Sequence, residues 1–236
     1  MLLRLGLLCL AGWLVGCGTA RLTPAQQQAA YAAAIRDAKT AAFAEVTTQL
    51  TPITPAHAPL RWRTIDGARH VQVVTWTDTL AGRGLLRLQE TVWVTPVPVL
   101  QQMCRAFDRT GPALADRLRQ VLGLPPHAPY TRFVTLWVRP HDLVRPCPDP
   151  EINDRECLPN SPRPSSVLTV SSAHTQWMDA TARASYHSDG YPWTRLGYTY
   201  DWHPGTDEVG VSEFVIHPGA TVRIANRVST ARYCMP

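Results

Sequence analysis

Four cysteines, at positions 104, 147, 157 and 234, follow an N-terminal stretch that directs export, and together these two features constrain the fold most strongly. Residues 1–16 have the three parts of a secretory signal: a short basic start with Arg4, an apolar run from Leu5 to Leu14, and small residues before a cut. The run is shorter than the roughly 20 apolar residues that a membrane-spanning helix requires. An even number of cysteines in an exported chain predicts two disulfides, for which three connectivities are open. The pairing favoured here is Cys147–Cys157, closing a proline-rich loop, with Cys104–Cys234 pinning the C-terminal segment to the core. No Cys-x-x-Cys pair and no close Cys/His spacing exists to support a zinc site or a thiol nucleophile instead.

The leader ends in Leu14-Val15-Gly16-Cys17, which resembles a bacterial lipobox. That resemblance implies diacylglyceryl transfer to the Cys17 sulfur, cleavage before it and acylation of the new amino terminus by a palmitate-class chain. Three acyl chains anchor firmly, because each buried methylene contributes about 0.8 kcal/mol. Gly18 follows, where an Asp would favour the inner membrane. The expectation is therefore an outer-membrane lipoprotein facing the periplasm, with residues 17–22 as a tether and residues 23–236 as a globular domain. Its first partner is the lipid bilayer, reached through Cys17.

Composition narrows the remaining partners. The net charge is +5, but the basic residues are scattered and Lys39 is the only lysine, so no stripe exists to track a phosphate backbone. Nucleic acid is excluded as a partner on that ground. Hydrophobic residues make up 45% of the chain, enough for an independent core.

Along the chain, Thr23-Pro24 reads as the start of a peripheral Ala-rich helix over 23–50, and the prolines of 51–59 as a linker. Alternating residues 60–65 and 69–77 flank Asp66-Gly67, the signature of a β-hairpin. A strand is expected over 87–94, then helices over 96–107 (with Thr95 as cap) and 112–122. Residues 132–139 are apolar on both alternations and predict a central strand. A loop over 140–164, a short strand over 167–170, a helix over 172–186, and strands over 194–202, 210–217 and 221–228 complete an α+β fold. Its sheet is expected to be mixed or mainly antiparallel, covered by the helices.

Chemistry-bearing motifs are sparse. Asp149, Glu151, Asn153, Asp154 and Glu156 begin like a calcium loop, but Asp154 stands where an EF-hand needs Gly and Asn160 where it needs Glu. They read as solvated charge, and neither a metal nor another cofactor is implied. No Gly-x-Ser-x-Gly or Ser-x-x-Lys motif is present. The densest stretch is 191–202, from which Tyr191, Trp193, Arg195, Tyr198, Tyr200 and Trp202 form a candidate binding set, with Tyr198 and Tyr200 expected on an exposed face. Glu213, with Arg195, is the candidate catalytic pair of an alternative transferase or hydrolase. Arg195, Ser212 and Glu213 resemble the arginine, serine and glutamate elements of ADP-ribosyltransferases, although Val211 stands where those enzymes often carry a second Glu or Gln.

Residues from about 92 to 234 resemble a family of bacterial lipoproteins without an assigned activity. The resemblance is carried by Trp93-Val94-Thr95, by 122–126, by 145–151, by 191–202 and by Ser212-Glu213-Phe214-Val215. It implies envelope localisation and no mechanism. The sequence therefore points to an accessory module that binds an envelope protein or glycan.

Overall fold

The computed structural model describes residues 21–160 and 170–235. Cys17 and most of the strand expected over 167–170 lie outside these residues.

The Asp66-Gly67 signal is realised as a tight turn in which both residues have positive φ, 49° and 76°, as a two-residue hairpin turn requires. It joins β1 (Trp62–Ile65) to β2 (Ala68–Trp76). Further strands are β3 (Gly84–Arg87), β4 (Val92–Pro96), β5 (Arg132–Val138), β6 (Leu143–Val144), β7 (Tyr198–Tyr200), β8 (Val209–Ser212), β9 (Phe214–Ile216) and β10 (Thr221–Ser229). Eight of them form one sheet, in the order β3-β10-β5-β2-β4-β9-β6 with β1 paired to the start of β2, while β7 and β8 form a separate ribbon. Every strand pairing is antiparallel.

The apolar runs explain the layering. Successive side chains of a strand point to opposite faces. Val71 and Val73 of β2 and Val134, Leu136 and Val138 of β5 enter one core. Val74, Trp76 and Phe133 enter the other. The central strand expected at 132–139 is thus β5, between β10 and β2 and buried on both sides. The second core is roofed by α2 (Val99–Ala106), α3 (Gly111–Val121) and α5 (Thr230–Cys234), which contribute Leu100, Leu118 and Tyr233. The Cys104–Cys234 disulfide joins α2 to α5, and Cys147–Cys157 closes the proline-rich loop. Both pairs are those favoured from sequence.

Several boundaries differ, each for a local reason. The first helix, α1 (Pro24–Ala38), starts at Thr23-Pro24 as expected, with a capping box between Thr23 and Gln26, but stops well short of residue 50. Beyond it the chain makes one 3-10 turn at Phe43–Glu45 and then runs without helix, the Leu50 and Ile53 amides donating to the carbonyls of Arg155 and Ile152 at 3.0 and 2.6 Å. Thr95 does not cap α2. It lies buried in β4 opposite Val74, and Pro98 takes the cap position. Thr95 and Val97 each precede a proline, which disfavours helical backbone there. The strand expected over 87–94 is two strands serving different neighbours, β3 on β10 and β4 on β2 and β9. The loop at 140–164 contains β6, a two-residue strand on β9. No described helix is long and apolar enough to cross a membrane.

The strand expected over 210–217 also divides, at Glu213. Residues 209–212 pair with β7 and residues 214–216 with β4, so the chain passes from the small ribbon to the main sheet at this one residue. The helix expected at 172–186 is α4 (Ser172–Ser185), with the Ser171 hydroxyl accepting from the His174 amide. It lies against the β4–β9 end of the sheet through Trp177.

Candidate functional site

The expected binding set of 191–202 does not form one surface. Tyr198 and Trp202 are 1% and 4% exposed, and each spends its polar atom on backbone. The Tyr198 hydroxyl donates to the Glu45 carbonyl at 2.9 Å, and the Trp202 indole donates to the Leu124 carbonyl at 2.9 Å. Trp202 also meets Tyr31 of α1 edge-on at 5.7 Å, so this aromatic pair docks the first helix. The half-buried Tyr200 hydroxyl reaches Asp37 and Glu208, both at 2.9 Å. The exposed face expected for Tyr198 and Tyr200 is therefore corrected. A turn at 195–197, where Arg195 and Gly197 take positive φ, breaks the alternation that would have produced it. Only Tyr191, 47% exposed, stands well out in solvent.

The candidate catalytic pair is likewise separated. Arg195 donates to the Lys39 carbonyl at 2.9 Å and lies over the Tyr186 ring, 5.5 Å from its centre. Among the described residues it makes no ion pair with Glu213. The Glu213 amide donates to the Gly197 carbonyl at 3.0 Å, while its side chain is buried with Oε1 unpartnered. Burial alone pushes its carboxyl up to about 8, so it is largely protonated at neutral pH. The Tyr186 hydroxyl donates to the Trp193 carbonyl at 2.6 Å and is pushed up to about 12, chiefly by burial. Ser212 is occupied structurally, its hydroxyl accepting from the Thr51 amide at 2.7 Å. Two surface cavities, of about 360 and 200 Å³, are lined by neither Glu213 nor Arg195.

The remaining member of the set, Trp193, leads to a different constellation. Trp193 is 5% exposed and meets Trp93 of β4 and Trp177 of α4 edge-on, at 6.0 and 5.8 Å. Trp93 and Trp177 are 6.1 Å apart and tilted by 39°, so the buried indole supports two others side by side. Trp93 is 36% exposed and Trp177 half-buried. His217, in the turn after β9, lies 5.0 Å from Trp177 and closes the cluster. Its imidazole is held below its ordinary value by burial and then by His174, which keeps it neutral at pH 7. His174 itself bonds the Cys147 carbonyl through Nε2 at 2.8 Å; a carbonyl only accepts, so this nitrogen carries the proton. That bond ties the cluster to the disulfide loop. Among the described residues neither the Trp93 nor the Trp177 indole nitrogen has a hydrogen-bond partner. Sequence reasoning placed Trp93 and Trp177 only as strand and helix residues. The available signal was a tryptophan on each of two amphipathic elements, which does not reveal that both converge on Trp193.

Two acidic trios have the spacing of a cation site, and each is served by the protein's own groups. Of Asp37, Glu45 and Glu208, the first and last bond the Tyr200 hydroxyl, and Glu45 accepts from the Ala42 amide at 2.7 Å. Asp149, Glu151 and Asp154 gather around Arg145, which is fully buried. Its Nε donates to the Glu151 carbonyl at 2.9 Å and Nη2 to the Asp154 carbonyl at 3.1 Å, with the Asp154 carboxylate at 3.3 Å. The loop charge that sequence assigned to solvent is thus partly folded around a guanidinium. Its arginine was not singled out because nothing local distinguishes it from its exposed counterparts.

No protein-family model matches the chain, and no curated protein or solved structure does either.

Proposed function

We propose that this protein is a membrane-anchored envelope lipoprotein that binds glycan, exported by residues 1–16, held by acylated Cys17 on the periplasmic face of the outer membrane, and stacking sugar rings on Trp93 and Trp177. The observation that carries the reading is the pair of partly exposed indoles braced by buried Trp193. Ordered indoles offer apolar area at low entropic cost, and their free N–H groups can reach ring hydroxyls. His217 adds a neutral imidazole beside them. A surface combining flat apolar area with unspent donors suits a sugar, whose faces are apolar and whose edge is polar, better than an aliphatic side chain. The test is co-sedimentation of the purified chain with insoluble envelope glycan. Wild type pellets with the glycan and Trp93→Ala stays in the supernatant, with both equally folded by circular dichroism. Membrane retention of wild type and release of Cys17→Ala tests the anchor.

A second reading, an envelope transferase or hydrolase acting through Glu213, draws on its raised pKa, since a carboxyl protonated at neutral pH is equipped to act as a general acid. Its burial and the absence of a partner for Oε1 favour it less than the indole pair favours binding. Turnover of a glycan substrate abolished by Glu213→Gln, with binding retained, would establish the enzyme instead.

A further inference from the structure

The larger cavity, about 360 Å³, shares no lining residue with the indole cluster and lies where the β1–β2 turn, β3, the start of β10 and the segment after β5 converge. Its volume falls at the small end of ligand sites. The basic groups around it are Arg139, Arg223, His70 and His141, against the carboxylates of Asp66 and Asp142. With neutral histidines the arginines balance the carboxylates, so the question is how firmly each arginine is already held.

It is held loosely. The Arg139 side chain makes no ion pair or hydrogen bond among the described residues, and its carbonyl accepts from the Asp142 amide at 3.0 Å. Arg223 touches Asp66 at 3.3 Å through Nη2 alone, and that carboxylate is 78% exposed. The Arg223 Nε is buried with no acceptor among the described residues, a donor left over from their bonding. His141 approaches Asp142 only to 3.7 Å.

His70 is the built element. It is 7% exposed, and Nδ1 lies 2.9 Å from the Ala68 carbonyl. Because a carbonyl only accepts, Nδ1 carries a proton, and the tautomer is fixed with Nε2 free. Among the described residues Nε2 has no hydrogen-bond partner. Neutral, it accepts from a ligand hydroxyl; protonated, it donates to a ligand oxygen. On the opposite side Leu85, 63% exposed, gives the cavity an apolar wall.

We propose that this cavity binds the phosphate group of a small phosphomonoester whose organic portion packs on Leu85. Two guanidinia and an imidazole arranged around one space match the several oxygens of a tetrahedral phosphate, whereas a planar carboxylate is satisfied by one guanidinium fork. The Arg223–Asp66 contact then loosens as Arg223 turns its fork to the ligand. The site is independent of the indole cluster, and neither stands or falls with the other.

The test is isothermal titration of the full chain with phenyl phosphate, inorganic phosphate and benzoate, and flotation with vesicles containing phosphatidic acid. Phenyl phosphate is expected to bind more tightly than either small comparator, and Arg139→Gln to weaken it about tenfold, as loss of a charge-assisted contact does. Arg183→Gln, on α4, leaves it unchanged. Leu85→Ser is expected to bring phenyl phosphate down to the affinity of inorganic phosphate. Binding of the soluble ester identifies a free ligand; vesicle flotation lost in Arg139→Gln, without soluble binding, identifies a lipid headgroup carrying the same group. Absence of both, benzoate binding as tightly as phenyl phosphate, or binding that survives Arg139→Gln overturns the proposal.

Discussion

The guanidinium of Arg145 lies 4.9 Å from the centre of the Phe214 ring, joining the disulfide-closed loop to the strand that pairs with β4. Both side chains are fully buried. The guanidinium donates through Nε and Nη2 to the Glu151 and Asp154 carbonyls, with Nη1 left without a partner among the described residues, and its alkyl stem passes Gly197, where an added Cβ would stand 2.9 Å from Arg145 Cδ. One cation thus sets the position of the loop, the 195–197 turn and β9, the strand that leads into His217.

Removing that cation is costly. Arg145→Ala leaves two half-buried carbonyls without their donor and opens a void under Phe214, and is expected to destabilise the fold by about 3 kcal/mol. Gly197→Ala meets the same stem at positive φ, 78°, and is expected to cost about 1–3 kcal/mol. Urea denaturation of each variant measures the loss.

The buried carboxyl of Glu213 makes stability fall as pH rises. Its folded pKa, about 8, lies above the ordinary value of 4.5, so the folded chain holds a proton that the unfolded chain releases. The sign follows: stability is highest below the unfolded value and declines by up to about 1.4 kcal/mol per pH unit until the folded value is passed. Glu213→Gln, neutral at all pH, removes this slope. Unfolding midpoints of both proteins at pH 4, 5, 6, 7 and 8 should lie closest together at the acid end and diverge upward, with the glutamine variant the more stable at the alkaline end.

The two disulfides should differ in worth. Cys104–Cys234 spans 130 residues and Cys147–Cys157 spans 10. In the chain-entropy account the first contributes about 5 kcal/mol and the second about 3. Thermal unfolding of the Cys104→Ala/Cys234→Ala and Cys147→Ala/Cys157→Ala variants should show the larger fall for the former.

The fold was more legible than the site. Asp66-Gly67, the two-sided apolar run of β5 and the cap at Thr23 are local signals, and each appears where such signals place it. The cysteine pairing followed from loop composition and separation. What failed was the inference from aromatic density to exposure. Residues 191–202 look like a surface because they alternate, but Arg195 and Gly197 turn the chain there, and Tyr198 and Trp202 are used to dock the 43–45 turn and α1. The cluster that replaces them joins Trp93, Trp177 and Trp193, from three segments remote in sequence, and no local pattern encodes that meeting.

The measurement that bears most directly on the account is co-sedimentation of the purified chain with insoluble envelope glycan, repeated with Trp93→Ala and Trp177→Ala. Wild type is expected to pellet in a saturable manner. Each substitution should weaken this at least about tenfold, as loss of an aromatic anchor does, without changing the far-ultraviolet circular dichroism. Wild type remaining in solution, or variants that pellet as wild type does, would contradict the assignment of this cluster as the binding surface.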